Sequence, residues 1–498
     1  MRARVRHLTR GVAIYGAGDA AIQVVNLLLI AVYVRGGFLG KVDYGALGLI
    51  IALETLVKVA SRFGLDGAYM RYYHDRTERG TLDRLTSTIV GFLAAVNLAL
   101  GAVLIGGAGW IGEWLLGGPA YVPALRLMFV NTCLLSVTFV PFHLMRLRDQ
   151  ATTFSAFVFA RSVGTTVLRV VFVIGLGLGV TGMYLADVVM TLGLFPFLWP
   201  WCRPLVRRAF AADDLRLALR FGLPRVPHGL AQQALEAGNK LLLQWYRPLP
   251  EVGVYQNGVT FGTGIRFFTS AFETAWAPFY YATSREADAK TVFRKMTTYG
   301  VAVLALLCAV TIAAAKDAVV LLLSRDWIGA AGVVPIVAVG LAFQGVYLLT
   351  SIGLNLTSRT MFYPVATFAA MAVGLGSAVW LMPAYGIQGA AVAFALSYVT
   401  QAVVAFALAQ RLYPMSYEWG RLLRLVVAAA VAVTVALWAV PPVAPVAGLA
   451  LRPFVVVLVY GAILWSTGFL RPTERAFLVE IVERRRRVPR RPPGGPGA

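Results

Sequence analysis

The sequence predicts an all-α integral membrane protein of about fourteen transmembrane helices: two six-helix lobes plus two C-terminal helices, with both termini in the cytoplasm. Three observations predict it: the composition, the length of the apolar runs, and the placement of Lys and Arg between them. Of 498 residues, 59% are hydrophobic and 14% charged, and the mean hydropathy is +0.72. A soluble globular surface cannot cover that much apolar side chain, so the solvent of this chain is lipid.

A spanning helix needs roughly twenty apolar residues. Runs of that length fall near 11–34, 44–65, 87–108, 122–145, 153–176 and 182–201 in the first half of the chain. In the second half they fall near 222–243, 255–280, 297–315, 331–353, 362–382, 387–410, 423–440 and 452–470. The run 11–34 follows the basic segment MRARVRHLTR and is too long for a signal-peptide core, so it reads as a retained first span. The implied organisation is a six-helix lobe over 1–202, a cytoplasmic amphipathic elbow over 203–221, and a second lobe over 222–410. Two additional helices over 411–470 and a basic tail over 471–498 complete it.

Positive charge recurs in every second loop. One set of loops holds Arg71, Arg76, Arg79 and Arg84, then Arg203, Arg207 and Arg208, then Arg285, Lys290, Arg294 and Lys295, and finally the Arg-rich tail. The opposite set offers little beyond Arg35, Lys41, Arg247, Lys316, Arg325 and Arg452. Cytoplasmic loops retain Lys and Arg, which places both termini inside. The same alternation excludes nucleic acid as the explanation of a net charge of +22, because a nucleic-acid footprint clusters on one folded face. Cys133, Cys202 and Cys308 lie far apart in apolar runs, with no histidine at ligand spacing, so they read as core residues rather than a disulfide framework or metal site. No phosphate-binding loop, Ser-His-Asp set or long soluble loop is present to house an enzyme, and no cofactor is indicated.

The elbow contains AADDLRLALRFG, in which Asp213 is placed to cap a short helix with Leu215, Leu217, Leu219 and Phe221 facing lipid in part. On either side of it the chain is weakly self-similar: LGKVDYGALG at 39–48 and LPEVGVYQNG at 249–258 lie about 210 residues apart. Internal duplication is common in transporters, which place substrate between the repeats.

FLGKVDYGALGLI, GLDGAYMRYYHD at 64–75, RFGLPRVPHGLAQQALEAGNKLLLQWY at 220–246, EVGVYQNGVTFG at 251–262 and AWAPFYY at 275–281 together resemble the polysaccharide-biosynthesis flippases, the O-antigen type of lipid-linked oligosaccharide translocase. The resemblance spans about 10–415. One departure is Asn239-Lys240, where that family usually carries an Asp-Arg pair. The resemblance implies a monomeric transporter of a bacterial-type inner membrane that flips a polyprenyl-diphosphate-linked oligosaccharide by alternating access, with a proton or sodium gradient as its drive. Anionic membrane lipids are its implied surroundings. A multidrug and toxin extruder, a lipid II flippase and a membrane glycan polymerase remain alternatives.

Ionisable residues at membrane depth are costly and are the best site candidates. In the second span Glu54, Lys58 and Arg62 stand at i, i+4 and i+8 on one helix face, either as the wall of a cavity or as an internal ion-pair ladder. In the fifth span Arg161 and Arg169 have no acidic residue in their own helix, so they need a bound anion or a neighbour such as Glu54 or Asp187. The planar guanidinium fork suits a pyrophosphate or an acidic sugar. In the eighth span Arg266 and Glu273 stand among Phe267, Phe268, Phe272, Trp276 and Tyr280, a mixture of rings and charges that suits a sugar. Substrate contact is therefore assigned to Arg161, Arg169, Arg266, Lys58, Arg62, Glu54 and Trp276. Ion coupling is assigned to Asp19, Glu236 and Glu273, with an i, i+4 pair between Glu236 and Lys240 as the plain alternative.

Overall fold

In a computed structural model the described residues are 25, 27–207, 210–441 and 443–469. They form helices joined by short turns. Asp19 and the basic tail lie outside them. Helix α1 is described over 27–35. It is followed by α2 (Lys41–Ser61), α3 (Leu65–Glu78), α4 (Leu82–Leu116), α5 (Val122–Leu147), α6 (Ala151–Val170, continued by a π turn Val171–Gly175) and α7 (Gly179–Cys202). The second half contains α8 (Ala212–Gly222), α9 (Val226–Tyr246), α10 (Leu249–Gly262), α11 (Arg266–Thr283), α12 (Ala289–Leu322), α13 (Gly329–Thr350), α14 (Ile352–Leu356), α15 (Phe362–Leu412), α16 (Trp419–Ala439) and α17 (Pro445–Ser466).

Ten of these helical segments are long and apolar enough to cross a membrane. One of them, α15, is two helices folded on each other. Gly386 sits at φ 55°, ψ −128° inside its 51 residues, a conformation that a side chain would strain. The hairpin closes so tightly that a Cβ on Gly389 would lie 2.3 Å from the Leu381 carbonyl oxygen. The outward faces carry Trp110, Trp380 and Trp438 in the open, as a chain solvated by lipid can.

Several expected boundaries shift. The run at 87–108 is the apolar centre of α4, whose 35 residues extend about 52 Å at 1.5 Å per residue. The run at 297–315 lies likewise within the 34-residue α12. The continuous span expected at 255–280 is broken into α10, a turn at Thr263–Ile265 and α11, where Gly262 and Gly264 weaken the helix. Pro224 and Pro227 do not kink a span. They occupy the turn before α9 and its first turn, where the missing N–H costs nothing.

The halves repeat each other in outline: α4, a 3₁₀ turn and α5 recur as α12, a 3₁₀ turn and α13. They also meet reciprocally. A Cβ on Gly45 would lie 2.1 Å from the Leu249 carbonyl oxygen, and one on Gly253 would lie 2.0 Å from that of Lys41. Lys41 to Leu249 and Gly45 to Gly253 are both separations of 208 residues, which corrects the register of about 210 read from the sequence. Glycine at both places lets α2 and α10 touch backbone to backbone.

The elbow helix α8 begins after Ala211, and Asp213 stands in its first turn rather than capping it. Its neighbour Asp214 is the anchoring acid: buried, it forms ion pairs with Arg76 at 2.8 Å and Arg84 at 3.0 Å. At the other end of α8 the left-handed Gly64 abuts Gly222, where a Cβ would lie 2.2 Å from the carbonyl oxygen.

Candidate functional site

The site is a cavity of about 700 Å³ walled by α1, α2, α5, α6 and α7, with Gln256, Asn257 and Thr260 of α10 closing one side. The i, i+4, i+8 spacing on α2 points Glu54, Lys58 and Arg62 into it together. From α6, Arg161 and Arg169 project two turns apart into the same space, accompanied by Ser162, Thr165 and Thr166. From α5 come Asn131, His143 and Arg146.

These cations differ in what holds them. Arg169 donates through Nη2 to both carboxylate oxygens of Asp187 on α7, at 3.0 and 2.9 Å. The neighbour that its own helix lacks is therefore Asp187. Among the described residues, Lys58, Arg62 and Arg161 have no ion pair. Of the two readings of Glu54, Lys58 and Arg62, the geometry fits the first: the three line the cavity wall, and no ion-pair ladder runs through them among the described residues. Arg62 instead lies over the Phe139 ring at 5.9 Å, and Arg146 over Phe154 at 4.3 Å. A ring face attracts a cation, by about 0.5–2 kcal/mol, without neutralising it. The cavity thus has more positive charge than its own carboxylates, Glu54 and Asp187, can balance.

The second group of predicted residues lies elsewhere. Arg266 of α11 pairs with Glu236 of α9 at 2.9 and 3.2 Å, and the Tyr398 hydroxyl of α15 joins them by donating to Glu236 at 3.4 Å. This corrects the expected Glu236–Lys240 pair: the two-pronged guanidinium from the facing helix takes the carboxylate. Beside it, Gln401 donates to Gln232 at 3.1 Å, so the second half holds a polar core of its own. Trp276 is 2% exposed, packed between a tilted Phe272 ring at 4.8 Å and a stacked Phe279 ring at 5.5 Å. Its ring is closed to any ligand in this conformation, and the expected sugar platform is packed core. Glu273 is exposed and lies outside the cavity wall.

Sequence reasoning missed Arg146 and the polar group on α10. Arg146 counts as a loop charge by its place at a span end, and only the packing of α5 against α6 brings it to the cavity. Gln256 and Asn257 belong to the repeated motif and were legible there as a repeat, not as a wall.

A family model described as polysaccharide biosynthesis protein matches residues 37–332. The chain belongs to that family. The match takes in α2 and the helices α5, α6 and α7 that carry the unpaired cations and the Arg169–Asp187 pair. A search of curated proteins finds no match. Among solved structures, the chain is similar to the lipid II flippase MurJ in an inward closed conformation, with 12% identity over 91% of this chain and 98% of that one, TM-score 0.65. It is similar to an inward-facing multidrug resistance MATE transporter of the MOP superfamily, with 16% identity over 78% and 94% of the two chains, TM-score 0.60. It is also similar to a MOP superfamily transporter from Pyrococcus furiosus described as having a binding pocket of reversed polarity, with 14% identity over 81% and 94%, TM-score 0.52. These likenesses establish the fold of this multi-pass membrane protein.

Proposed function

We propose that the chain moves a polyprenyl-diphosphate-linked oligosaccharide across the inner membrane by alternating access. The observation that carries this reading is the convergence of Lys58, Arg62 and Arg161, unpaired among the described residues, in one cavity between spans. Cations held at membrane depth in excess of the carboxylates beside them call for an anion from outside the protein. A diphosphate offers oxygens to guanidinium forks from two helices at once. A glycan fits the cavity's hydroxyl and amide lining, and the prenyl tail stays in lipid.

Membership of a polysaccharide-biosynthesis family supports an oligosaccharide as the cargo. A multidrug extruder of organic cations would be ill served by a cavity whose positive groups outnumber its carboxylates. In this reading the two halves are lobes of six spans each, within a total of fourteen, and they rock about the α8 elbow as a monomer with both termini inside. Arg216 and Arg220, beside the apolar groove of Leu215 and Leu219, suit contact with anionic membrane lipids. A proton or sodium gradient drives the cycle.

The test is reconstitution in vesicles, scoring arrival of a lipid-linked oligosaccharide in the opposite leaflet. Arg161→Ala should abolish it while leaving the protein monodisperse in detergent, and Arg161→Lys should restore it only in part. Full transport by Arg161→Ala would refute the assignment.

A further inference from the structure

A second cavity, of about 440 Å³, opens where α2 and α3 meet the start of α9. It shares Lys58 and Arg62 with the first cavity and adds Asp66, Arg225, His228 and Gln233. Its volume lies within the range of about 300–1,000 Å³ usual for small-ligand sites. Part of its wall is glycine. A Cβ on Gly67 would lie 2.8 Å from the Arg225 guanidinium, and one on Gly229 would lie 3.0 Å from Val59. Side chains at either place would fill the space.

We propose that this cavity binds the first sugar of the carried head group, the one attached directly to the diphosphate. The inference rests on the transport reading above and assigns a place within it. An anion held by Lys58 and Arg62 sits at the junction of the two cavities. With those two cations engaged by phosphate, the charged groups left in the smaller cavity are Arg225 and Asp66, one of each sign. The remainder is close to neutral and rich in hydrogen-bonding capacity, which matches a pyranose ring and not a second phosphate. That capacity is unspent. Asp66 accepts from the Gly67 N–H through one oxygen and has no ion pair among the described residues. The Gln233 side chain has no hydrogen bond among them, and His228 Nδ1 is buried without a partner. Vicinal hydroxyls of a sugar supply what a carboxylate, an amide and an imidazole lack here.

The cavity draws on both halves of the chain, with Asp66 from one and His228 and Gln233 from the other. A sugar seated there would bridge the halves and report to both that the head group is loaded.

The test measures binding of two probes to the full-length protein in detergent: a polyprenyl diphosphate without sugar, and the same lipid carrying one hexose. The wild type should bind the hexose-bearing lipid about tenfold more tightly, and Asp66→Asn and Gln233→Leu should each erase most of that advantage. Asp66→Asn is nearly isosteric, so it keeps the readout free of gross misfolding. Absence of a sugar advantage in the wild type, or its persistence in both variants, overturns the subsite. Arg161→Ala separates this from the parent reading: it should weaken both lipids alike. If Arg161→Ala weakens neither, or if neither lipid binds the wild type, the cavity assignment itself fails and the sugar subsite falls with it.

Discussion

Arg161 and Arg169 are two helical turns apart on α6 and line the same cavity, yet they stand in opposite electrostatic situations. Arg169 is held by Asp187, while Arg161 has no ion pair among the described residues. Their substitutions should therefore fail in different ways. Arg161→Ala removes a charge that no ion pair among the described residues holds in place, so abundance should persist while transport stops. Arg169→Ala leaves Asp187 without its cation. The loss should fall below the ~3–5 kcal/mol of a fully dry pair, because the Arg169 side chain keeps 37% exposure. A melting scan in detergent should show the shift for Arg169→Ala and recover when Asp187→Asn is added. The sequence revealed the shared face of Glu54, Lys58 and Arg62, and that of the two arginines, because helical periodicity alone sets it. It left open which neighbour takes Arg169, since Asp187 reaches it only through the packing of α7 on α6. It misassigned Trp276, because spacing cannot tell a ring that lines a cavity from one packed between Phe272 and Phe279.

At the scale of elements, α17 is fastened to α12 by an ion pair inside the bundle, Arg452 to Asp317, with both side chains about nine-tenths buried. Gly448, one turn earlier on α17, makes the approach feasible: a Cβ there would lie 2.5 Å from the Asp317 carboxylate. Arg452→Ala should cost on the order of 3–5 kcal/mol by stranding the carboxylate, whereas replacing both partners with apolar residues of similar volume should be near neutral. Thermal unfolding of the purified protein distinguishes the two. Gly448→Leu should destabilise as well, by steric exclusion. The sequence located α16 and α17 from hydropathy and counted Arg452 among the loop charges. The fold instead places it within α17, and the apolar run at 452–470 caught only the later part of a helix that begins at Pro445. Helix ends were generally the least legible feature, as α4 and α12 illustrate. Hydropathy registers the apolar middle of a helix, while its polar ends remain helical through backbone hydrogen bonds that do not depend on side-chain polarity.

At the scale of the whole molecule, the α2–α10 contact is where the two halves touch most closely, and alternating access would require it to part. Gly48 and Gln256 face each other across it. A Cβ on Gly48 would lie 3.1 Å from that of Gln256, close to the ~3.5–4.5 Å of a disulfide. A Gly48→Cys, Gln256→Cys variant should cross-link under oxidation and stop transport, and reductant should restore it; Gln256→Cys alone should not respond to redox. Undiminished transport by the fully cross-linked protein would rule out separation at this seam. Orientation is open to reporter fusions, which should read cytoplasm at Gly80 and Ala289 and the far side at Gly117 and Pro250.

The reciprocity of that seam reaches further than gating. Lys41 meets Gly253 as Leu249 meets Gly45, which is the signature of an isologous interface, the kind that joins two copies of one subunit in a dimer. A single polypeptide built this way resembles a fused dimer whose peptide link is secondary to its interface. Asp214, carried by the second half, also docks on Arg76 and Arg84 of the first. Residues 1–208 and 209–498, made as separate chains in one cell, should consequently find each other in the membrane and co-purify. Introducing Gly253→Leu into the second fragment should prevent that reunion.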